Sequence, residues 1–311
     1  MTLAGERSAL KRLFLRVFLV VPGLLLAGNL CARDIVVASY NVQNYLKMER
    51  RVDGKTVPDA PKPDEEITAV ISVLKEINPD ILGVEEMGDE SVFEGFRARL
   101  KAAGLDYPYK EWVRGADSAR HLALLSRFPI VARSSRDDVP FELNGAKMRV
   151  GRGILDVGVR ISDNYSLRLV GAHLKSRREV PAFDQVAMRA KEAGLLREHL
   201  SAILKTNPGE NLLLFGDLND TKNEYPIKEV IGSTKDPSRM KDLFLADRHG
   251  YRWTHYWQAA DIYSRIDYLM ASVALWPQIN MGRSGISNSK IWFKASDHRA
   301  LFTTIKVPES K

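Results

Sequence analysis

Several stretches of the chain are largely apolar over only five to seven residues: Asp34–Tyr40 (DIVVASY), Asp80–Val84 (DILGV), His121–Ser126 (HLALLS) and Asn211–Phe215 (NLLLF). Runs this short and uniform read as buried strands. A strand that is apolar on both sides must be covered on both sides, and the chain supplies the cover. After Asp64, which can cap a helix, Ile67, Val70, Ile71, Leu74 and Ile77 fall at helical spacing, and Asn78-Pro79 ends the run. Ser91–Ala103 and Asp184–Leu204 read as further helices. From Tyr107 the pattern turns to β, with Ile130–Arg133, Arg149–Arg160, Ser166–Gly171, Arg265–Ala271 and Leu301–Lys306 as additional strands. Residues 47–63 are polar and hold Gly54, Pro58, Pro61 and Pro63, so they read as a loop. Helix-separated runs on either side of a β-rich middle predict an α/β fold in which helices cover mixed sheets. No linker or repeat interrupts residues 34–311, which therefore read as one domain.

Residues 1–33 stand apart. Arg7, Lys11 and Arg12 precede a block, Leu13–Leu26, that is apolar except for Arg16 and Pro22. A spanning helix needs about 20 apolar residues, which this block lacks. It fits a cleaved secretory signal peptide, and so a secreted or periplasmic protein with no stable membrane insertion after cleavage. The alternatives are a retained or lipid anchor, with Cys31 as the lipidated residue, and a cytoplasmic N-terminal helix. Ala32 is the candidate last removed residue, although Leu30 sits where a small residue is preferred. Cys31 is the single cysteine, so residues 34–311 have no disulfide and no cysteine-based metal site. The leader also carries about +4 of the net charge of +7. Charge over the whole chain is thus no argument for a nucleic-acid partner.

Polar residues collect where the strands end: Tyr40-Asn41-Val42-Gln43-Asn44, Gly83-Val84-Glu85-Glu86-Met87, Gly171-Ala172-His173-Leu174-Lys175-Ser176, Gly216-Asp217-Leu218-Asn219-Asp220, Arg265-Ile266-Asp267-Tyr268 and Ser296-Asp297-His298. Each is weak alone. In this order, each behind a strand, they resemble the motif series of the endonuclease/exonuclease/phosphatase superfamily, the deoxyribonuclease-I-like fold. The resemblance covers residues 35–306. It implies a four-layered α/β sandwich of two packed mixed sheets flanked by helices.

It also implies a divalent-metal-dependent phosphoesterase. Hydrolysing a phosphodiester requires charge neutralisation at phosphorus, an activated water and a protonated leaving oxygen. Hard oxygen ligands suit Mg²⁺ or Mn²⁺, with Ca²⁺ as a further option. By resemblance, Glu86 binds the metal, Asn41 supports metal and phosphate, and Asp297 is a further ligand. Glu85 stands where the family usually has Gln, and alternation along a strand lets only one of the pair point inward. The resemblance implies that Asp217 orients or deprotonates the attacking water and that Asn219 holds a non-bridging oxygen. Asp217 and Asn219, at i and i+2, would share a face on an extended exit, with Asp220 as a loop cap. His298 would contact the scissile phosphate or act as base, with Asp267 fixing its tautomer and raising its pKa. His173 would be a general acid or transition-state stabiliser, and its acidic partner has no assignment in the sequence.

Lys175, Arg177 and Arg178 follow His173 and are candidate substrate-binding residues; Lys147, Arg149 and Arg152 form a second basic group. Together they would track a phosphate backbone, or simply form a solvated face. The remaining histidines, His121, His199, His249 and His255, lie outside the motifs, with His199 expected on a helix surface. Trp253-Thr254-His255-Tyr256-Trp257 would stack on a base or sugar, or simply pack. No stretch reads as the exposed apolar hairpin expected of a bilayer-acting phospholipase. A nucleic acid is the leading substrate, with nucleotides, small phosphate esters and phospholipid headgroups as alternatives. A catalytically silent binding module of the same fold is the reading from another class.

Overall fold

The computed structural model describes residues 34–178 and 184–308. Residues 1–33, with Cys31, lie outside them, and so does the signal peptide expected there. Among the described residues, no helix is long and apolar enough to cross a membrane.

Two six-stranded sheets form the centre. The first runs, edge to edge, through Ile279–Ile286, Leu301–Ile305, Ile35–Tyr45, Ile81–Met87, His121–Ser126 and Tyr109–Val113. The second runs through Met240–Asp242, Asp267–Ser272, Leu212–Asp217, Tyr165–Gly171, Leu155–Ser162 and Ile130–Arg133. Each sheet has a parallel pair at its middle: Ile35–Tyr45 with Ile81–Met87, and Tyr165–Gly171 with Leu212–Asp217. Parallel neighbours need a crossover. Helix Asp64–Ile77 lies in the first crossover and helix Gln185–Thr206 in the second. Asp184 caps the latter by accepting the Val186 and Ala187 N–H groups.

The period-two alternation of strands sorts each side chain into one of three cores. Ile35, Val37, Ile81, Leu124, Leu169, Leu213, Phe215 and Leu269 meet between the sheets. Ala38, Tyr40, Leu82 and Val84 point the other way, onto Val70, Leu74, Phe93 and Phe96 of the first two helices. Val170, Leu212, Leu214 and Met270 pack on Leu196, Leu200 and Leu204 of the long helix. Helix, sheet, sheet, helix is the four-layered mixed α/β sandwich expected.

The loop expected over residues 47–63 is instead a hairpin, Met48–Val52 paired with Lys55–Ala60. Its residues are almost all exposed, so no burial pattern marks it in the sequence. The single strand expected over Arg149–Arg160 is divided: Ala146–Arg149 pairs in a small hairpin and Leu155–Ser162 enters the sheet. Gly151 and Gly153 lie at the break, Gly153 with φ of 68°. His199 is not a surface residue; its Nε2 sits 2.9 Å from Asp156 Oδ2.

Between the sheets, Phe215 occupies a slot made by two glycines. A Cβ at Gly83 would lie 2.2 Å from the Phe215 ring, and one at Gly171 would lie 2.5 Å from it. Phe215→Ala should cost about 3–5 kcal/mol in urea unfolding. Gly83→Ala should also destabilise, and less so in a Phe215→Leu background. Equal costs for Gly83→Ala in the two backgrounds would show that the slot is not what fixes this glycine.

Candidate active site

The polar cluster sits one residue step beyond the apolar inter-sheet core. Along Ile35–Tyr45 the inner face reads Ile35, Val37, Ser39, Asn41; along Leu212–Asp217 it reads Leu213, Phe215, Asp217. Tyr165–Gly171 continues the same way from Leu167 and Leu169 through Gly171 to His173. Thus Asn41, Glu85, His173 and Asp217 stand at the C-terminal ends of the central strands of both sheets. The antiparallel neighbour contributes Asp267 from its first residue, paired opposite Asp217.

Asp217 is the meeting point. Asn41 Nδ2 donates to its Oδ2 at 3.1 Å across the gap between the sheets. The Asn219 N–H donates to its Oδ1 at 2.9 Å. His173 Nε2 lies 3.6 Å and His298 Nε2 lies 3.8 Å from Asp217 Oδ2. His298 Nδ1 is 2.9 Å from Asp267 Oδ2, the partner the sequence assigned to it. Asp217, Asp267 and His298 bring three possible ligand atoms within 4.8 Å of one another; so do His255, Asp297 and His298.

Burial shapes the charges. It works against a protonated His298, but the Asp267 carboxylate outweighs it and the imidazole is raised well above its ordinary range. His173 is held well below that range, by burial first and then by Arg152. Burial, then the Asp267 charge, pushes Asp217 up to about 8, and the same causes push Glu85 up to about 8. One imidazolium thus stands among three buried carboxyl groups, paired with Asp267.

Glu85 and Glu86 both belong to the cluster, because the strand breaks its alternation between them. Glu85 faces the inter-sheet interior, fully buried, and its Oε1 accepts the Ser39 hydroxyl at 2.8 Å. Glu86 has φ of 62°, which swings it to the rim. There its Oε2 accepts the Asn44 N–H at 2.8 Å, with Arg120 Nε at 3.9 Å. Gln43, Asn44 and Asn219 are also left-handed, with φ of 45°, 50° and 52°. Strained backbone of this kind gathers at functional sites. Asp297 reaches the same short segment from the other side: its N–H donates to Gln43 Oε1 at 3.1 Å, and Ser296 Oγ donates to the Asn41 carbonyl at 2.8 Å. Glu86 and Asp297 therefore flank Asn41–Asn44, although Glu86 belongs to neither three-ligand cluster.

Other expectations need correction. Asn219 does not leave the strand in extended form; its left-handed backbone folds it over Asp217, and its Nδ2 donates to the Leu174 carbonyl at 3.0 Å. Arg177 turns to Asp220 at 2.6 Å, so its guanidinium is engaged by the protein. Asp220 is more than a loop cap, since its other oxygen takes Arg189 Nε at 2.8 Å in a buried pair. Lys175 is half-buried, while Arg178 is exposed at the rim. The aromatic stretch around His255 forms a hairpin, His255–Trp257 with Ile262–Ser264. It leaves Trp257 56%, Ile262 49% and Tyr263 52% exposed, and the nearby Phe293 62%. It is an exposed hairpin with apolar residues that the sequence pattern did not mark, because polar Gln258 and Asp261 interrupt them.

Arg120 and Ser39 had no place among the expected site residues, and His255 was expected only within the aromatic stretch. The His255 ring lies 4.6 Å from that of His298, centroid to centroid, and the two residues form a β-bridge. Its only sequence signal is an aromatic neighbourhood shared with ordinary packing.

A sandwich of two mixed sheets with acidic, amide and imidazole side chains gathered at its strand ends defines a phosphoesterase-type fold. The pattern of the Endonuclease/Exonuclease/phosphatase family matches residues 38–298, and the chain belongs to that family. Members of this superfamily are hydrolases of phosphoester bonds and are generally dependent on divalent metals. No curated protein matches the chain in sequence. Among solved structures, truncated TDP2 from Caenorhabditis elegans superposes with a TM-score of 0.59 at 18% identity, covering 88% of this chain and 98% of that one. The human nocturnin catalytic domain with bound sulfate gives 0.60 at 16%, covering 87% and 93%. Sphingomyelinase C from Streptomyces griseocarneus gives 0.53 at 17%, covering 88% and 99%. At these identities the likeness is one of fold.

The raised pKa of His298 contributes stability that is complete below the ordinary histidine range and is lost as pH rises through the folded value. Asp267→Asn should therefore lower the His298 pKa, read from its imidazole C2–H signal by NMR against pH, and remove that contribution. An unmoved titration would show that Asp267 does not hold the proton.

Proposed function

We propose that the chain is a divalent-metal-dependent phosphodiesterase, secreted or periplasmic, that hydrolyses phosphodiester bonds of nucleic acid by metal-assisted attack of water. The observation that carries this is the placement of Asp217 between His173 and His298, with the Asp297 carboxylate against His298 and Glu86 held on the Asn44 N–H.

The donor set fits a hard divalent cation. Glu86 Oε2 is held by the Asn44 N–H, and the Asp297 carboxylate is partly exposed beside His298, so each has oxygen to offer a cation. Glu86 and Asp297 would hold the ion, Mg²⁺ or Mn²⁺ before Ca²⁺. Asn41 has both ends of its amide on protein, Nδ2 on Asp217 and Oδ1 on the Gln43 N–H, so it orients the site. When bound, the ion supplies charge neutralisation at the phosphate and activation of water.

The chain's own groups do the rest. Asp217, in its carboxylate form, accepts the proton of the attacking water. His298, kept charged by Asp267, donates its Nε2 proton toward a phosphate oxygen. His173, kept neutral by burial, is suited to stabilise charge developing near the leaving oxygen. Asn219 has one amide hydrogen on Leu174 and a second to give to a non-bridging oxygen.

A second reading, hydrolysis of a phospholipid headgroup, draws support from the exposed aromatic hairpin beside His298. Plasmid DNA, bis-p-nitrophenyl phosphate and phospholipid vesicles, each with Mg²⁺ or Mn²⁺, separate the readings. We expect turnover of the first two, abolished by a chelator, and a fall of at least about 100-fold in His298→Ala. Turnover of vesicles alone would favour the lipid reading. No turnover on any phosphoester would leave a silent binding module. A full rate in His298→Ala would remove the role given to that imidazole.

A further inference from the structure

A second cleft, of ≈ 520 Å³, opens where the hairpin Ala146–Arg149 faces the segment after His173. Lys147, Arg149, Arg152 and Lys175 line it, against only two acids, Asp117 and Glu192. Both acids are already committed. Asp117 Oδ1 accepts the N–H groups of Ala119 at 2.9 Å and Arg120 at 3.2 Å. Glu192 accepts the Gly151 N–H at 3.0 Å and the Lys175 N–H at 2.6 Å, one on each oxygen. Burial also favours the neutral form of Glu192.

The cations are matched less closely: Arg149 has an exposed pair in which Asp138 Oδ1 lies 3.6 Å from its Nη1. Arg152 is only 6% exposed; among the described residues its Nε makes no hydrogen bond, and Asp117 Oδ2 lies 3.3 Å from its Nη2 as an ion pair. A buried guanidinium with an unused donor bears a desolvation penalty that an anion in the cleft would offset. Lys147 and Arg149 are exposed on the hairpin, beside the mouth. Lys175 stands two residues beyond His173, about 7 Å along an extended chain at roughly 3.3 Å per residue. That is the reach from one phosphate of a nucleic-acid strand to the next.

We infer that this cleft binds a second, non-scissile phosphate of the substrate, with Arg152 as its principal ligand and Lys147, Arg149 and Lys175 around it. The site would give the enzyme a preference for substrates bearing a phosphate one nucleotide from the bond that is cut. The inference rests on the phosphodiesterase reading above and names a recognition element of that site.

Thymidine dinucleotides test it: dTpdT, its 5′-phosphorylated form and its 3′-phosphorylated form each hold one scissile diester. With the full-length protein and Mg²⁺ or Mn²⁺, one phosphorylated form should show kcat/KM at least about tenfold above dTpdT, mainly through KM. Arg152→Met should erase that ratio. Because Arg152 is buried, the exposed double variant Lys147→Ala/Arg149→Ala serves as a second measure and should shrink the ratio without loss of fold. No preference in the wild-type protein, or a preference surviving in both variants, overturns the site. Calorimetric binding of the same dinucleotides to His298→Ala separates the two levels. Phosphate-dependent affinity without wild-type turnover supports the cleft and removes the catalytic reading. Turnover without any phosphate preference removes the cleft and leaves the catalytic reading.

Discussion

The site depends on how closely two sheets can approach. Phe215 fills the last apolar layer beneath the polar cluster, and it does so against bare backbone at Gly83 and Gly171. A side chain at either glycine would push the sheets apart or tilt the ring. Two residues along each strand, Asn41 and Asp217 then meet across the gap at 3.1 Å. A hydrogen bond allows only a few tenths of an ångström of error, so the spacing set by Phe215 is transmitted to the chemistry. Close packing makes this possible, since such an interior does not yield.

The same closeness makes the cluster electrostatically costly. Glu85, Asp217 and Asp267 are all buried, with one imidazolium among them. Burial, and after it the charge of Asp267, pushes both Glu85 and Asp217 toward their protonated forms. A cation held by neighbouring carboxylates would relieve this repulsion. Glu85 occupies the place where the family usually has Gln, and a protonated carboxyl is a fair electrical substitute for an amide. Its hydrogen bond from Ser39 is one a Gln carbonyl would accept equally well.

The apolar runs disclosed the sheets and the periodic runs disclosed the helices, because burial leaves a period that can be read. DILGV and NLLLF became central strands within three residues of their expected ends, and the polar residues after them did converge. What escaped was structure made without burial, such as the hairpin over residues 48–60, and structure made by strain. The left-handed turn at Glu86 abolished the rule that only one of two adjacent glutamates can serve a site. Long-range pairing was equally invisible. Nothing about Arg177 in the sequence tells that Asp220 claims it, and nothing about His255 tells that it pairs with His298. Both depend on loops whose paths are set by the tertiary fold rather than by local pattern.

The hairpin His255–Trp257/Ile262–Ser264 joins an outer face to an inner one. Outside are Trp257, Ile262 and Tyr263; inside, the Tyr256 N–H donates to the Asp297 carbonyl at 2.9 Å and His255 lies along His298. Two rungs of backbone thus connect greasy surface to reactive imidazole. A shift of the outer rings would therefore be felt at His298 through the backbone the two share.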